Sequence, residues 1–202
     1  MFTGIVQAVG RIVDVRDGPA AVRLLVDAGS LPIDDVALGD SIAVNGCCLT
    51  VVEIDRGQAA PRLAFDVSGE TLACTTGLGL PGNVNLEKAL RLADRLGGHL
   101  MTGHVDGVGR VAAHEPVEGE AGGRRLVVDL PAALARFVAG KGSVAVNGVS
   151  LTVNAVAGVR FEVNLIPHTL AATTLGALRA GDAVNVEVDL VARYVARLNE
   201  AP

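Results

Sequence analysis

The chain has 202 residues, is half apolar with 2% aromatics, and carries a net charge of −5. That length suits two modest cores of Val, Ala and Leu, and no Lys/Arg block marks a nucleic-acid surface. No apolar run reaches the roughly 18 residues of a membrane span, and the start Met1-Phe2-Thr3-Gly4-Ile5-Val6 lacks the basic region and cleavage site of a signal peptide. Three cysteines, two of them adjacent, make no disulfide framework. A cytoplasmic chain with free thiols is expected. No Cys/His/Asp cluster has zinc spacing.

In chain order, residues 5–15 alternate as a strand, with Gly10 marking a bulge or a close backbone approach. Residues 22–27 predict another strand. Residues 40–44 lead into Asn45-Gly46, a strong hairpin signal, and 49–54 continue beyond it. Residues 62–67 and 83–87 complete the strands of the first half. Leu86, Ala89, Leu90, Ala93 and Leu96 recur at helical spacing and predict a helix that ends at Gly97-Gly98, the expected domain boundary. The acidic, glycine-rich stretch 117–123 reads as a solvated hairpin tip. Residues 131–138 open with a proline, as a helix's first turn allows. Residues 190–198 place Leu190/Val191, Tyr194/Val195 and Leu198 on one face. That face either closes the second half or forms a seam between subunits.

The chain then repeats itself. Phe2-Thr3-Gly4-Ile5-Val6 returns as Met101-Thr102-Gly103-His104-Val105, and Val44-Asn45-Gly46-Cys47-Cys48-Leu49-Thr50-Val51 as Val146-Asn147-Gly148-Val149-Ser150-Leu151-Thr152-Val153. Glu70-Thr71-Leu72 returns as His168-Thr169-Leu170, and Val84-Asn85-Leu86-Glu87 as Val184-Asn185-Val186-Glu187. The offsets, 99, 102, 98 and 100, are far longer than a solenoid period and mean two tandem domains. About six short strands per half, split by Gly/Pro/Asn turns, predict an all-β chain. The expected architecture is two six-stranded antiparallel Greek-key barrels with short helices: residues 1–97, 98–189, and a C-terminal helix, 190–202. Two similar ligand sites follow. The repeat breaks where Cys48 faces Ser150, Ile5 faces His104 and Gly39 faces Lys141. Residues 75–84 are also two shorter than their counterparts 173–184, which leaves that loop's geometry open.

The start Met1-Phe2-Thr3-Gly4-Ile5-Val6, the two Asn-Gly motifs, Gly97-Gly98-His99-Leu100-Met101-Thr102-Gly103-His104-Val105 and Leu165-Ile166-Pro167-His168-Thr169-Leu170 together resemble the trimeric riboflavin synthase family over nearly the whole chain. The resemblance implies dismutation of two 6,7-dimethyl-8-ribityllumazine molecules by four-carbon transfer, without metal or redox cofactor. It implies one lumazine per barrel and a homotrimer. The reacting pair would meet where one subunit's N-terminal barrel faces a neighbour's C-terminal barrel. Enclosure in a lumazine synthase shell is left open. A lumazine-binding antenna protein is the alternative, although Cys48, His104, Lys141, Ser150 and Thr152 are all present. A flavin reductase would need a glycine fingerprint that is absent.

One substrate must lose a 7-methyl proton while the other is attacked at the same ring position. Cys48 can serve as nucleophile or thiolate base, although by residue type alone it reads as a small buried hydrophobe. Cys47 points to the opposite face, and Cys74 has no assigned role. His104 can shuttle a proton, whereas His99 reads as structural. Ser41, Thr50, Ser150 and Thr152 supply hydroxyls for the ring edge. Ser41, Ser150 and Asp189 join Cys48 and His104 as catalytic candidates. Substrate contacts are expected from Phe2, Gly4, Ile5, Val6, Leu49, Thr50, Asp66, Val67, Glu70 and Thr71. From the second half come Gly103, Val105, Lys141, Leu151, Thr152, Ile166, Pro167, His168 and Thr169. Without the resemblance, Lys141 is a surface charge, Asp189 a helix cap and Phe2 a packed terminal side chain.

Overall fold

The computed structural model describes residues 1–57, 60–117, 119 and 122–200. In the first half, β1 (Ala8–Asp17), β2 (Val22–Asp27), β3 (Ser41–Val44), β4 (Cys47–Asp55), β5 (Arg62–Val67) and β6 (Gly82–Lys88) close a barrel in the order β1-β2-β5-β4-β3-β6. The second half repeats that order with β7 (Gly107–Pro116), β8 (Arg124–Asp129), β9 (Ser143–Val146), β10 (Val149–Ala157), β11 (Arg160–Leu165) and β12 (Ala183–Val188). All pairings are antiparallel, and the tandem all-β architecture stands as expected.

Alternation builds each wall. Along β4, Cys47, Leu49 and Val51 are buried in the barrel while Cys48 and Thr50 face outward. Phe65 and Phe161 fill the two interiors with aliphatic neighbours. Register shifts at Ile12/Asp14 and Val51/Glu53 recur at Val111/Ala113 and Val153/Ala155. Such bulges bend the strands enough for a small barrel to close. Gly10 serves close approach instead: a Cβ there would lie 2.5 Å from Leu86 Cδ1 and 2.6 Å from the Asp27 carbonyl oxygen. Asn45 (φ 47°) and Gly46 (φ 82°) form the expected hairpin turn, as do Asn147 (φ 46°) and Gly148 (φ 78°).

The helix expected over 86–96 is absent. Leu86 belongs to β6, where it is fully buried and paired with Ala8 on one side and Val44 on the other. Two flanking strands outweigh a helical spacing that has no surface to pack on. Leu92 and Leu96 face solvent, and a single turn closes from the Asp94 N–H to the Arg91 carbonyl at 3.0 Å. Two unexpected six-residue helices follow β5 and β11: α1 (Gly69–Cys74), capped by Ser68, and α3 (Pro167–Ala172), led by its proline. The segment opening at Pro131 holds one turn, α2 (Ala132–Ala135). α4 (Leu190–Asn199) follows β12. The expected hairpin tip lies between β7 and β8, but Glu118, Glu120 and Ala121 fall outside the described residues.

Four buried asparagines bolt the barrels together. Asn85 donates from Nδ2 to the Asn147 carbonyl (2.8 Å) and accepts the Thr174 N–H (2.8 Å). Asn185 mirrors this, donating to the Asn45 carbonyl (3.0 Å) and accepting the Thr76 N–H (2.7 Å). The shortened 75–84 loop therefore keeps the same anchor as its counterpart, which contains a short 3-10 helix, Thr174–Ala177. Phe2 and Met101 pair as an antiparallel bridge at the junction, their amides and carbonyls joined at 2.8 and 3.0 Å.

Candidate active site

Each barrel opens one wall in the same place. Near its start β4 pairs with β3, Ser41 opposite Thr50 and Ala43 opposite Cys48, while its pairing with β5 begins only at Val51–Phe65. The free edge at Cys48 is taken by the other half of the chain: the Cys48 N–H donates to the Gly103 carbonyl at 2.8 Å, and Val105 packs on the first core. The second barrel is the mirror case. Ser143 lies opposite Thr152 and Ala145 opposite Ser150, the Ser150 N–H donates to the Gly4 carbonyl at 2.9 Å, and Val6 packs on the second core. The segments are thus exchanged, 101–105 covering the first barrel's site and 2–6 the second's. Gly103 (φ 77°) must be glycine, because a Cβ would lie 2.7 Å from Cys48 Cβ and 2.9 Å from Phe2 Cε2.

The first half-site joins Cys48, Thr50 and Ser41 with Gly103, His104 and Val105. The ends of β5 and α1 beside it carry Asp66, Val67, Glu70 and Thr71. Arg23 grips Asp66 with two bonds, at 2.7 and 2.8 Å, and holds its carboxyl below the usual range. The second half-site joins Ser150 and Thr152 with Gly4, Ile5 and Val6, and with Ile166, Pro167, His168 and Thr169 at the start of α3. Leu49, Val67 and Leu151 are buried, inward-facing core residues. Phe2 has no exposed surface; it packs with Ala43, Met101, Ala145 and Cys48 beneath the crossing segments. Lys141 is exposed with φ 68°, matching Gly39 at φ 93°, and its N–H bonds the Val153 carbonyl as that of Gly39 bonds Val51. Asp189 caps α4 by accepting the Val191 N–H at 2.9 Å.

The two adjacent thiols differ sharply. Burial pushes Cys47 up to about 12, so it is an inert core residue, whereas Cys48 is half-exposed at the site. His99, read from the sequence as structural, hydrogen-bonds a candidate residue. Its Nδ1 lies 2.7 Å from Ser150 Oγ, and its Nε2 is buried without a partner among the described residues. Burial lowers its pKa, with Asp189 and Glu187 pulling the other way. The neutral ring that burial favours shares a hydrogen bond with the Ser150 hydroxyl. Gly98 makes this possible, since a Cβ there would collide with the Thr3 carbonyl and Ser150. Also missed were Ser143, Glu87 and Glu187. Their repetition at equivalent positions was the available signal. A cleft of about 790 Å³ runs along the outside of the first barrel. It takes in Ile5 and Ser41 with Thr3, Glu87 and Lys88, and the other candidates lie outside it.

Tandem six-stranded barrels with equivalent candidate sites define a two-domain repeat protein. Residues 3–89 and 102–189 each match the family described as "Lumazine binding domain". The chain is 45% identical to riboflavin synthase of Mycobacterium tuberculosis (strain ATCC 25618 / H37Rv), covering 98% of both chains. It is 42% identical to that of Photobacterium phosphoreum, covering 98% of this chain and 88% of the relative. It also superposes on LumP complexed with 6,7-dimethyl-8-(1'-D-ribityl) lumazine, with a TM-score of 0.76, 27% identity and coverage of 93% and 99%. The chain belongs to the riboflavin synthase family.

Proposed function

We propose that this chain converts two molecules of 6,7-dimethyl-8-ribityllumazine into riboflavin and 5-amino-6-ribitylaminopyrimidinedione, one molecule per half-site. The supporting observation is a duplicated site whose halves differ at chemically active positions. Cys48 faces Ser150, and exposed His104 stands where the first half has Ile5. Identical halves would bind both substrates without assigning donor and acceptor.

In this reading, Ser41 and Thr50 in one half, and Thr152 in the other, hold the ring edges. Cys48 attacks or shields one ring position. Ser150, with its proton drawn toward neutral His99, handles the methyl proton of the partner molecule, assisted by His104, Lys141 and Asp189. Holding two rings face to face can supply about 7–11 kcal/mol of the barrier. The exposed stripe Val191, Tyr194, Val195 and Leu198 on α4 supports assembly as a homotrimer. Among the described residues no helix is long and apolar enough to cross a membrane. Three free cysteines support a cytoplasmic location. A lumazine synthase partner, source of the substrate, is the association to look for.

LumP, on which the chain superposes, is complexed with 6,7-dimethyl-8-(1'-D-ribityl) lumazine, so a binding protein without turnover is the reading from which the synthase must be separated. One experiment separates them: incubate the purified protein with 6,7-dimethyl-8-ribityllumazine alone and follow riboflavin absorbance. One riboflavin for every two lumazines consumed supports the synthase. Tight, brightly fluorescent binding without riboflavin overturns it.

A further inference from the structure

Two buried glutamates to which the chemistry above assigns no step hold the exchanged segments in place. Glu87 of β6 accepts the Thr3 N–H at 2.7 Å, the Thr3 hydroxyl at 2.9 Å and the Gly4 N–H at 3.0 Å. Glu187 of β12 accepts the Thr102 N–H at 2.7 Å, the Thr102 hydroxyl at 2.8 Å and the Gly103 N–H at 3.0 Å. Both side chains are at least nine-tenths covered. A buried carboxylate is retained only where donors satisfy both oxygens, and here peptide N–H groups and a hydroxyl do so.

Each glutamate grips a segment that serves the opposite barrel. Glu87 belongs to the first barrel, but the Gly4 it fixes covers Ser150 of the second. Glu187 belongs to the second, but the Gly103 it fixes covers Cys48 of the first. We propose that Glu87 and Glu187 are crossed positioning residues, Glu187 setting the Cys48 half-site and Glu87 the Ser150 half-site. The consequence for turnover rests on the synthase reading; the crossing itself rests on hydrogen bonds alone.

The test uses the full chain carrying Cys74→Ser, which removes the exposed thiol. Glu187→Gln turns an accepting oxygen into an amide that confronts the Gly103 N–H. Losing a charge-assisted bond should speed iodoacetamide labelling of Cys48 about tenfold. Glu87→Gln should leave that rate within about twofold, because its bonds run to Thr3 and Gly4. With Cys48→Ser and Ser150→Cys added, the sensitivities should exchange, the probe now responding to Glu87→Gln. Glu→Asp variants keep the charge; they should label at intermediate rates, and they carry the comparison if a Gln variant fails to fold. Equal acceleration by both glutamate variants, or none by Glu187→Gln, overturns the crossing. On the parent chain, kcat and KM for 6,7-dimethyl-8-ribityllumazine are measured alongside, with the Glu variants expected to lower kcat more than they raise KM. A chain that labels in the crossed pattern yet makes no riboflavin would keep this inference and sink the synthase reading.

Discussion

At the scale of single residues, electrostatics separates groups that look alike in the sequence. His99 sits below the ordinary histidine range because burial outweighs the pull of Asp189 and Glu187. The folded state therefore prefers the neutral ring, and its stability falls as pH drops from about 6.5 through that lowered value. The same protonation removes the base beside Ser150, so kcat/KM should show an acidic limb below about pH 6.5. Asp189→Asn keeps a side chain able to cap α4 and removes one charge that raises His99. The limb should move to lower pH, and a pH profile with an unmoved limb would exclude His99 as the titrating group. Lys141 is a second case. Its left-handed backbone is strained for a side chain, and the equivalent Gly39 avoids that. Lys141→Gly should raise stability by about 1 kcal/mol by thermal unfolding while turnover declines. A gain without loss of turnover would remove Lys141 from the reaction.

At the scale of elements, what was legible depended on the range of the interaction. The strands at 22–27 and 62–67 emerged at their observed bounds because alternation is a local signal. The stripe at 86–96 misled because Leu86 answers to β1 and β3, which the local pattern does not contain. α1 and α3 are too short for a period, although the Ser68 cap and the proline at 167 mark their starts. The repeat and the family motifs mark Cys48, Ser150 and Thr152 as candidates, and the fold sets them on the outer walls of their barrels. His99 could not be placed, since its partner Ser150 is 51 residues away. The asparagines were visible as repeats, yet their bonds join residues up to 140 positions apart. They give a direct test of how the barrels are joined. Asn185→Ala strands the Thr76 N–H and the Asn45 and Thr76 carbonyls. It should cost about 3 kcal/mol in urea unfolding, with the two barrels no longer melting together. A loss under about 1 kcal/mol would mean that apolar packing around Phe2 and Met101 carries the junction instead.

At the scale of the whole molecule, the half-sites lack walls. Thr50, His104, Thr152 and Ile166 all stand open to solvent, whereas pairing two rings requires that water be kept from them. α4 raises the same question from another side. A ten-residue helix is marginal alone, yet this one is held at its base. Asp189 caps it, Arg193 pairs with Asp106 beside the segment covering Cys48, and Arg136 reaches Glu200 at 2.8 Å. Among the described residues nothing covers the apolar face so presented. In the proposed homotrimer a second and third copy would bury that face and bring another barrel's open half-site against the first, supplying both missing walls at once. Removing residues 194–202 leaves Asp189 and Arg193 in place and deletes most of the stripe. The truncated chain should run as a monomer by light scattering, with barrels that still melt cooperatively and turnover lowered at least about tenfold, because the two substrates no longer share one enclosure. A monomer of full activity would require both lumazines to meet within one chain, and the division of labour between subunits would have to be abandoned.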